Sequence, residues 1–511
     1  MFDQIAKLPL LVIVIGLSAI AMLLPASHAM SVGNDWVAGT FFLSAVLSGF
    51  LGLFLALAML GRERSDRPRR HLLSLLVLFV VLPLLYAVPF HQAVRNTSFL
   101  NAYVEMVSSL TTTGATLFPN PDRLPPSVHL WRATVGWLGG LFVWISAIAI
   151  LAPMALGGFE VRARRIATHG AQITQIEKVA DLSARLRKYA ARLFPLYTGL
   201  TGMLWLGLIL VGDPPLVALC HAMSTLSTSG ISPVGGLSGD TAGFGGEVMV
   251  AVFLIFAISR LAFSREGQGS EMTAFRNDPE VRLALAIISV VPLFLFMRHF
   301  LGAFEVDSDM TLWSGLGALW GSVFTVLSFL TTTGFVSAAW ESSQAWSGLS
   351  TQGLVLMGLA LVGGGVATTA GGAKLLRVYA LYQHGRRELD KLVHPNSVAG
   401  SGSEARHLRR GGAYMAWVFF MLQTLSVALI MAAFSFTGET FEQAVVLTVA
   451  ALTTTGPLAE IAASAPINYG DLSISGKAVL SVAMVLGRLE MLAIIALLSP
   501  DIWRSRGRQR A

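Results

Sequence analysis

Ala102-Tyr103-Val104-Glu105-Met106-Val107-Ser108-Ser109-Leu110-Thr111-Thr112-Thr113-Gly114 reads as a short apolar helix that stops at three hydroxyl residues and a glycine. The pattern returns three times. Ala218 to Gly230 ends Leu226-Ser227-Thr228-Ser229-Gly230. Val323 to Gly334 ends Leu330-Thr331-Thr332-Thr333-Gly334, and Val445 to Gly456 ends Leu452-Thr453-Thr454-Thr455-Gly456. Glycines 114, 230, 334 and 456 stand 116, 104 and 122 residues apart. A fourfold repeat of that size organises the whole chain. Each copy predicts a helix of about three turns, too short to cross a bilayer core that takes about 20 apolar residues.

Longer apolar runs lie on either side of these segments. Ten of them, near 8–26, 37–60, 71–90, 131–156, 193–211, 247–263, 281–301, 350–382, 413–436 and 474–498, are long enough to span. The first ends at Leu24-Pro25-Ala26-Ser27, which resembles a signal cleavage site. A second span follows at once, so it reads as a retained anchor. Composition agrees: 54% of the 511 residues are hydrophobic and 13% charged, against about 25% charged in soluble domains. That excludes disorder and an ordinary soluble enzyme. The lone Cys220 excludes a disulfide scaffold or a multi-cysteine metal site. With the N-terminus inside, 30 of the 36 Lys and Arg fall on the inner side, 5 on the outer side, and Arg488 within a span. The net charge of +7 is therefore a positive-inside signal that puts both termini in the cytoplasm, and it argues against nucleic acid as a partner.

This topology leaves all four short segments on the outer side, so they must dip in and return. Such backbone is tolerated at membrane depth where it lines a water-filled path. One Thr-Thr-Thr-Gly alone reads as a polar helix cap; four, in phase with four span pairs, read as a pore. Backbone carbonyls and hydroxyls are hard neutral ligands suited to an alkali cation. Helix C-termini aimed at the axis favour positive charge. The candidate filter is Thr112, Thr113, Gly114, Thr228, Ser229, Gly230, Thr332, Thr333, Gly334, Thr454, Thr455 and Gly456, each glycine freeing its carbonyl to face the axis. The expected fold is an all-α polytopic membrane protein: four pseudo-repeats of span, pore helix, filter loop and span around a central pore, plus two N-terminal spans. The parts are 1–70 (two N-terminal spans), 71–160 (repeat 1), 161–264 (repeat 2), 265–382 (repeat 3, with a broken last helix), 383–412 (a cytoplasmic loop) and 413–511 (repeat 4 and a basic tail).

Two features interrupt the spans. Within 350–382 runs Gly363-Gly364-Gly365-Val366-Ala367-Thr368-Thr369-Ala370-Gly371-Gly372-Ala373-Lys374. Its glycines each cost a helix about 1 kcal/mol relative to Ala. A broken helix there places an irregular loop under the filter; close helix packing through small residues is the alternative. A phosphate-binding loop is excluded, because no Gly-Lys-Ser/Thr ending and no strand accompany it. Arg488 and Glu490 lie within 474–498, and a charge at that depth must face protein or water. Arg488 would sit under the filter as an electrostatic barrier, with Glu490 a structural partner. Lys374 is placed to hold the loop closed. Glu105, in the first pore helix, would pack behind the filter. The candidate gate is Gly363, Gly364, Gly365, Thr368, Thr369, Gly371, Gly372, Lys374 and Arg488.

The span–pore–span pattern resembles the Trk/Ktr/HKT superfamily of potassium transporters, and within it the TrkH type, over nearly the whole chain. The likeness is carried also by Asp278-Pro279-Glu280, Leu392-Val393-His394-Pro395-Asn396, Gly487-Arg488-Leu489-Glu490 and Pro500-Asp501-Ile502-Trp503-Arg504. Segments two and four are richer in hydroxyls than the family pattern, and Gly371-Gly372-Ala373-Lys374 stands where that pattern ends Gly-Gly-Gly-Lys. The resemblance implies K⁺ uptake across a bacterial inner membrane, K⁺ bound at the filter, and no other cofactor in this chain. It implies that Arg488 meets the Gly-rich loop and that the protein is a homodimer. It also implies a TrkA-type cytosolic subunit that binds NAD or ATP, contacted through Gly385 to Gly412; anionic lipid is the alternative partner of Arg386, Arg387, Arg409 and Arg410. A Na⁺-permeable form, or a K⁺ symporter coupled to Na⁺ or H⁺, stays open as an alternative of the same fold. A polytopic membrane enzyme is a remote one, since no histidine pair stands at metal-ligand spacing.

Overall fold

The computed structural model describes residues 10–59, 68–153, 156, 158–159, 182–237, 242–259, 278–301, 312–349, 352–394 and 410–489. Every regular element among them is helical. Among the described residues seven helices are long and apolar enough to cross a membrane: Leu11–Ser31, Asp35–Met59, Leu72–Ala93, Pro126–Leu151, Arg185–Val211, Pro279–Arg298 and Gly412–Phe436.

The other three expected spans differ. The run 247–263 becomes a helix over Gly243–Leu254 and a 3₁₀ turn over Ile255–Ala257. It turns there because Ala257 O leaves the helical ladder and accepts from Gly365 N at 3.0 Å. The run 350–382 splits into helices Gln352–Val362 and Leu375–Val393, with residues 363–374 between them outside any helix. The last run is helical over Ile474–Leu489; its remainder, with Glu490, lies outside the described residues.

The four short segments form helices α1 (Phe99–Leu110), α2 (Pro215–Ser227), α3 (Leu312–Leu330) and α4 (Phe441–Leu452). Local chemistry starts three of them. Ser98 caps α1 by accepting from Asn101 N, Pro215 opens α2 at its first position, and Thr440 and Gln443 form a capping box on α4. At 19 residues α3 exceeds the three turns expected, because its apolar pattern begins well upstream of Val323.

Each pore helix also packs against the helix that closes the preceding unit: α2 on Pro126–Ser146, α3 on Gly243–Leu254, α4 on Gln352–Val362, and α1 on Ile474–Leu489. The last pairing closes a ring between the two ends of the chain. Glycine permits the approach. A Cβ on Gly139 would lie 2.1 Å from Leu110 O, and one on Gly487 would lie 2.3 Å from Leu452 O. Leu110 and Leu452 are the last residues of α1 and α4, so small residues seat two pore helices at equivalent points. Aromatic rings fill the interior, with Trp131 edge-on to Phe41 and Tyr86 at 5.7 and 5.4 Å. The outer faces expose Ile20, Phe54, Leu210 and Phe436 instead, as a lipid-facing surface requires.

Candidate functional site

The four pore helices end in one hydrogen-bond motif. Thr113 N donates to Ser108 O, Ser229 N to Ser224 O, Thr333 N to Ser328 O and Thr455 N to Ala450 O, at 2.8–3.0 Å. Thr112, Thr228, Thr332 and Thr454 N donate to the carbonyls of Ser109, Thr225, Phe329 and Ala451. These two bonds together are the Schellman closure, whose left-handed residue is usually Gly. Here it is threonine four times, with φ of +54°, +51°, +57° and +55°. A β-branched residue in that region is strained, at about 1–3 kcal/mol each. What the strain obtains is a hydroxyl at the turn where glycine would offer none.

The remaining hydroxyls are braces. Thr111, Ser227, Thr331 and Thr453 donate back to carbonyls four residues earlier, at 2.7–3.0 Å. They also pair with Thr113, Ser229, Thr333 and Thr455, at 2.8–3.2 Å. The third hydroxyl of each segment is thus turned onto the first.

Adjacent segments meet at those carbonyls. A Cβ on Gly114 would lie 2.0 Å from Ser229 O, and one on Gly230 would lie 2.3 Å from Thr333 O. Gly114, Gly230 and Gly334 take φ of +73°, +66° and +84°. Gly456 departs from the expectation that all four glycines behave alike, since it has no positive φ. Pro457 follows it and drives the preceding residue toward extended angles. Gly456 N donates to Thr113 O at 2.6 Å and Gly456 O accepts from Tyr469 OH at 2.8 Å. The fourth glycine carbonyl is therefore held by protein and not freed toward the axis.

A polar group stands nine residues before the glycine in three segments. Glu105 Oε2 accepts from Leu117 N at 2.9 Å, His221 Nε2 pairs with Ser232 Oγ at 2.8 Å, and Thr325 Oγ1 accepts from Ser337 N at 3.3 Å. Each ties one of the four short helices to the chain that follows its glycine. Glu105 also pairs with Arg132 at 2.7 Å, both buried. Glu247 serves segment three from outside it, accepting from Trp320 Nε1, Ser337 Oγ and Ala338 N at 2.7–2.9 Å. Thr325→Val keeps the shape and strips the acceptor from Ser337 N. It is expected to cost about 1–3 kcal/mol, read as a lower thermal unfolding midpoint in detergent.

Residues 363–374 form a compact loop whose ends meet. Ala373 N donates to Leu361 O, Lys374 N to Val362 O and Leu375 N to Gly364 O, at 2.9–3.0 Å. Gly363 and Gly372, both at positive φ, cross where a Cβ on Gly363 would lie 2.7 Å from Gly372 Cα. The loop lies against the hydroxyl-rich segments. Gly371 N donates to Thr332 Oγ1 at 2.7 Å, and Thr369 Oγ1 donates to Leu226 O at 3.0 Å. Thr368 Oγ1 closes inward on Gly365 O at 2.8 Å. Arg488 Nη2 donates to Thr369 O at 2.8 Å, and Lys374 Nζ donates to Ala370 O. Glu280 Oε1, fully buried, accepts from Val366 N at 2.8 Å, and buried Arg377 donates to Ala373 O while lying over the Phe419 ring at 3.8 Å. Beside Thr368 and Thr369 the free space is about 10 Å³, at most one water.

On the other side, residues following the glycines line a cavity of about 700 Å³ that Glu341, Glu442 and Glu460 share. Ser464 donates to Glu442 through its N–H and hydroxyl, which holds that carboxyl below the usual range; desolvation raises Glu460. Among the described residues no group of His, Cys, Asp and Glu is arranged to hold a metal.

Comparison with known proteins places this architecture. Residues 270–504 match the TrkH family, described as cation transport protein. The chain is 31% identical over 442 residues to the Trk system potassium uptake protein TrkH of Halomonas elongata, covering 84% of each chain. It is 29% identical over 452 residues to the Trk system potassium uptake protein TrkH of Salmonella typhimurium, covering 87% of this chain and 88% of that one. The crystal structure of the potassium transporter TrkH from Vibrio parahaemolyticus superposes with a TM-score of 0.79 at 26% identity, over 99% of this chain and 100% of the other.

Proposed function

Because this chain belongs to the TrkH family of potassium uptake proteins, we propose that it carries K⁺ inward across the bacterial inner membrane through the four-segment filter, with both termini cytoplasmic. It is a multi-pass membrane transporter and not an enzyme. The membrane potential supplies about 2.3 kcal/mol per charge per 100 mV. One observation carries the reading: four helices end on the same strained threonine, and segments one to three meet at the carbonyls of Ser229 and Thr333. That is a set of neutral oxygens at the C-terminal ends of four helices, suited to a dehydrated alkali cation. The carboxylates of the outer cavity raise the local cation concentration.

In this reading the 363–374 loop is a closed gate. It touches segments two to four, at Leu226 O, Thr332 Oγ1 and Thr454 Oγ1. Arg488 adds a positive charge under the filter and fastens the loop through Thr369 O. Release comes from the cytoplasmic side, through a TrkA-type nucleotide-binding subunit on a homodimer. The helix Leu375–Val393 leads from the loop to that side and exposes Arg386 and Lys391; most of the expected contact segment, 395–409, lies outside the described residues. A Na⁺-permeable or ion-coupled variant gains support from Gly456, whose engaged carbonyl leaves fewer axial ligands for discriminating K⁺.

Flux into liposomes containing the purified protein tests this. K⁺ and Rb⁺ are expected to pass faster than Na⁺. Arg488→Gln removes a charge-assisted hydrogen bond, worth about 1.5–3 kcal/mol, and is expected to raise K⁺ flux about tenfold or more. If the wild type, Arg488→Gln and a chain lacking 365–373 all stay silent for every ion, the transport reading fails.

A further inference from the structure

The four left-handed threonines are equivalent in backbone and unequal in what their hydroxyls do. Thr228 Oγ1 donates to the neighbouring Ser227 O at 2.7 Å. The hydroxyls of Thr112 and Thr454 are buried without a hydrogen-bond partner among the described residues. The Thr332 hydroxyl accepts the Gly371 N–H of the loop. A buried hydroxyl without a partner costs free energy. Two such groups at matching points of a ring point to a ligand that would satisfy them. Gly371 touches two members of that ring: it donates to Thr332 Oγ1, and a Cβ on it would lie 2.4 Å from Thr454 Oγ1.

We propose that the hydroxyls of Thr112, Thr228, Thr332 and Thr454 form the innermost monovalent-cation site of the filter, and that the cation and the closed loop compete for it through Thr332. Thr332 Oγ1 keeps a second lone pair while it accepts from Gly371. The amide hydrogen nevertheless brings partial positive charge next to the cation, and the Gly371 backbone fills the space beside Thr454. A cation that takes up all four hydroxyls must displace Gly371. The two events are then linked with equal and opposite effect: cation binding loosens the loop, and loop closure weakens cation binding. The permeant ion becomes an opener of its own gate. This rests on the filter reading above and goes beyond it.

Hydrogen–deuterium exchange of the full-length protein tests the coupling without a variant. The peptide carrying residues 366–374 is compared in K⁺ and in choline at matched ionic strength. Ligands ordinarily slow exchange; here K⁺ is expected to speed it at the loop by about three- to tenfold, the worth of one neutral hydrogen bond. The reciprocal test is K⁺ affinity by calorimetry in Gly371→Ala, whose Cβ cannot fit against the fourth segment. Affinity is expected to tighten by a similar factor. Should that variant not fold, Thr369→Val frees the loop from Leu226 O and is expected to act in the same direction. If K⁺ binds with unchanged loop exchange and unchanged affinity in the freed-loop variant, the coupling is overturned and the filter reading stands. If K⁺ binds neither the wild type nor the freed-loop variant, the filter reading itself falls.

Discussion

Gly114→Ala is expected to reduce K⁺ flux by about two orders of magnitude or more while leaving the helices in place. Two effects combine at this residue. Its φ of +73° costs an L side chain roughly 1–2 kcal/mol. Its Cβ would also stand 2.0 Å from Ser229 O. That neighbour is backbone fixed by a Schellman closure, not the yielding end of a long side chain. Segments one and two must separate, and a carbonyl that would face the ion moves away. At 1.4 kcal/mol per tenfold, losing even about 3 kcal/mol of ion stabilisation gives the expected loss. Gly33→Ala separates the causes. Gly33 has a similar φ of +76° but nothing within 4 Å of its Cβ position, so it tests backbone strain alone and is expected to leave flux intact. Equal loss in both variants would mean that contact between segments does not matter.

The repeat was legible because it combines three local signals, an apolar run, a hydroxyl triplet and a glycine, at four places in phase. The Thr332–Gly371 bond and the left-handed threonines were not legible. Threonine at that angle contradicts its own propensity, and only contacts among the assembled segments hold it there. The repeat makes Gly456 look like the equal of the other three glycines, but Pro457 beside it is the sign of a different backbone. Intramembrane charge marks Arg488 in the sequence, and its guanidinium meets Thr369 O. The same rule applied to Glu247, Glu280 and Arg377 would have marked three more groups that brace the filter exit or the loop. Their partners could not be read, since Glu247 meets Ser337 across 90 residues and Glu280 meets Val366 across 86. Spacing along a chain does not encode which repeat lies next to which. The bond from Arg488 to Thr369 spans 119 residues, and it could be anticipated only because both ends broke a local rule and a known family offered the pairing.

Arg132→Met is expected to destabilise the protein by about 3–5 kcal/mol, the usual result of stranding one member of a buried ion pair. Glu105 has 0% exposure. Its second oxygen must still accept from Leu117 N, three residues past Gly114. An uncompensated carboxylate there takes up a proton or draws in water, and either event loosens the exit of the first filter segment. Loss of K⁺ over Na⁺ preference should therefore accompany the lower unfolding midpoint. Glu105→Gln is milder, because the amide oxygen can still accept from Leu117 N, but it leaves the Arg132 guanidinium unpaired. The double variant Glu105→Gln with Arg132→Met removes both charges, keeps that acceptor and fills the space with apolar atoms. It is expected to recover most of the stability, since burying two ions costs nearly what their attraction returns. Stability measured by thermal unfolding in detergent, beside flux ratios in liposomes, separates two roles for the pair. Recovery of both quantities in the double variant means that the Leu117 bond positions the filter and the charges only satisfy each other. Recovery of stability without selectivity means that the fixed negative charge behind segment one acts on the ion itself, through the low-dielectric wall of the pore.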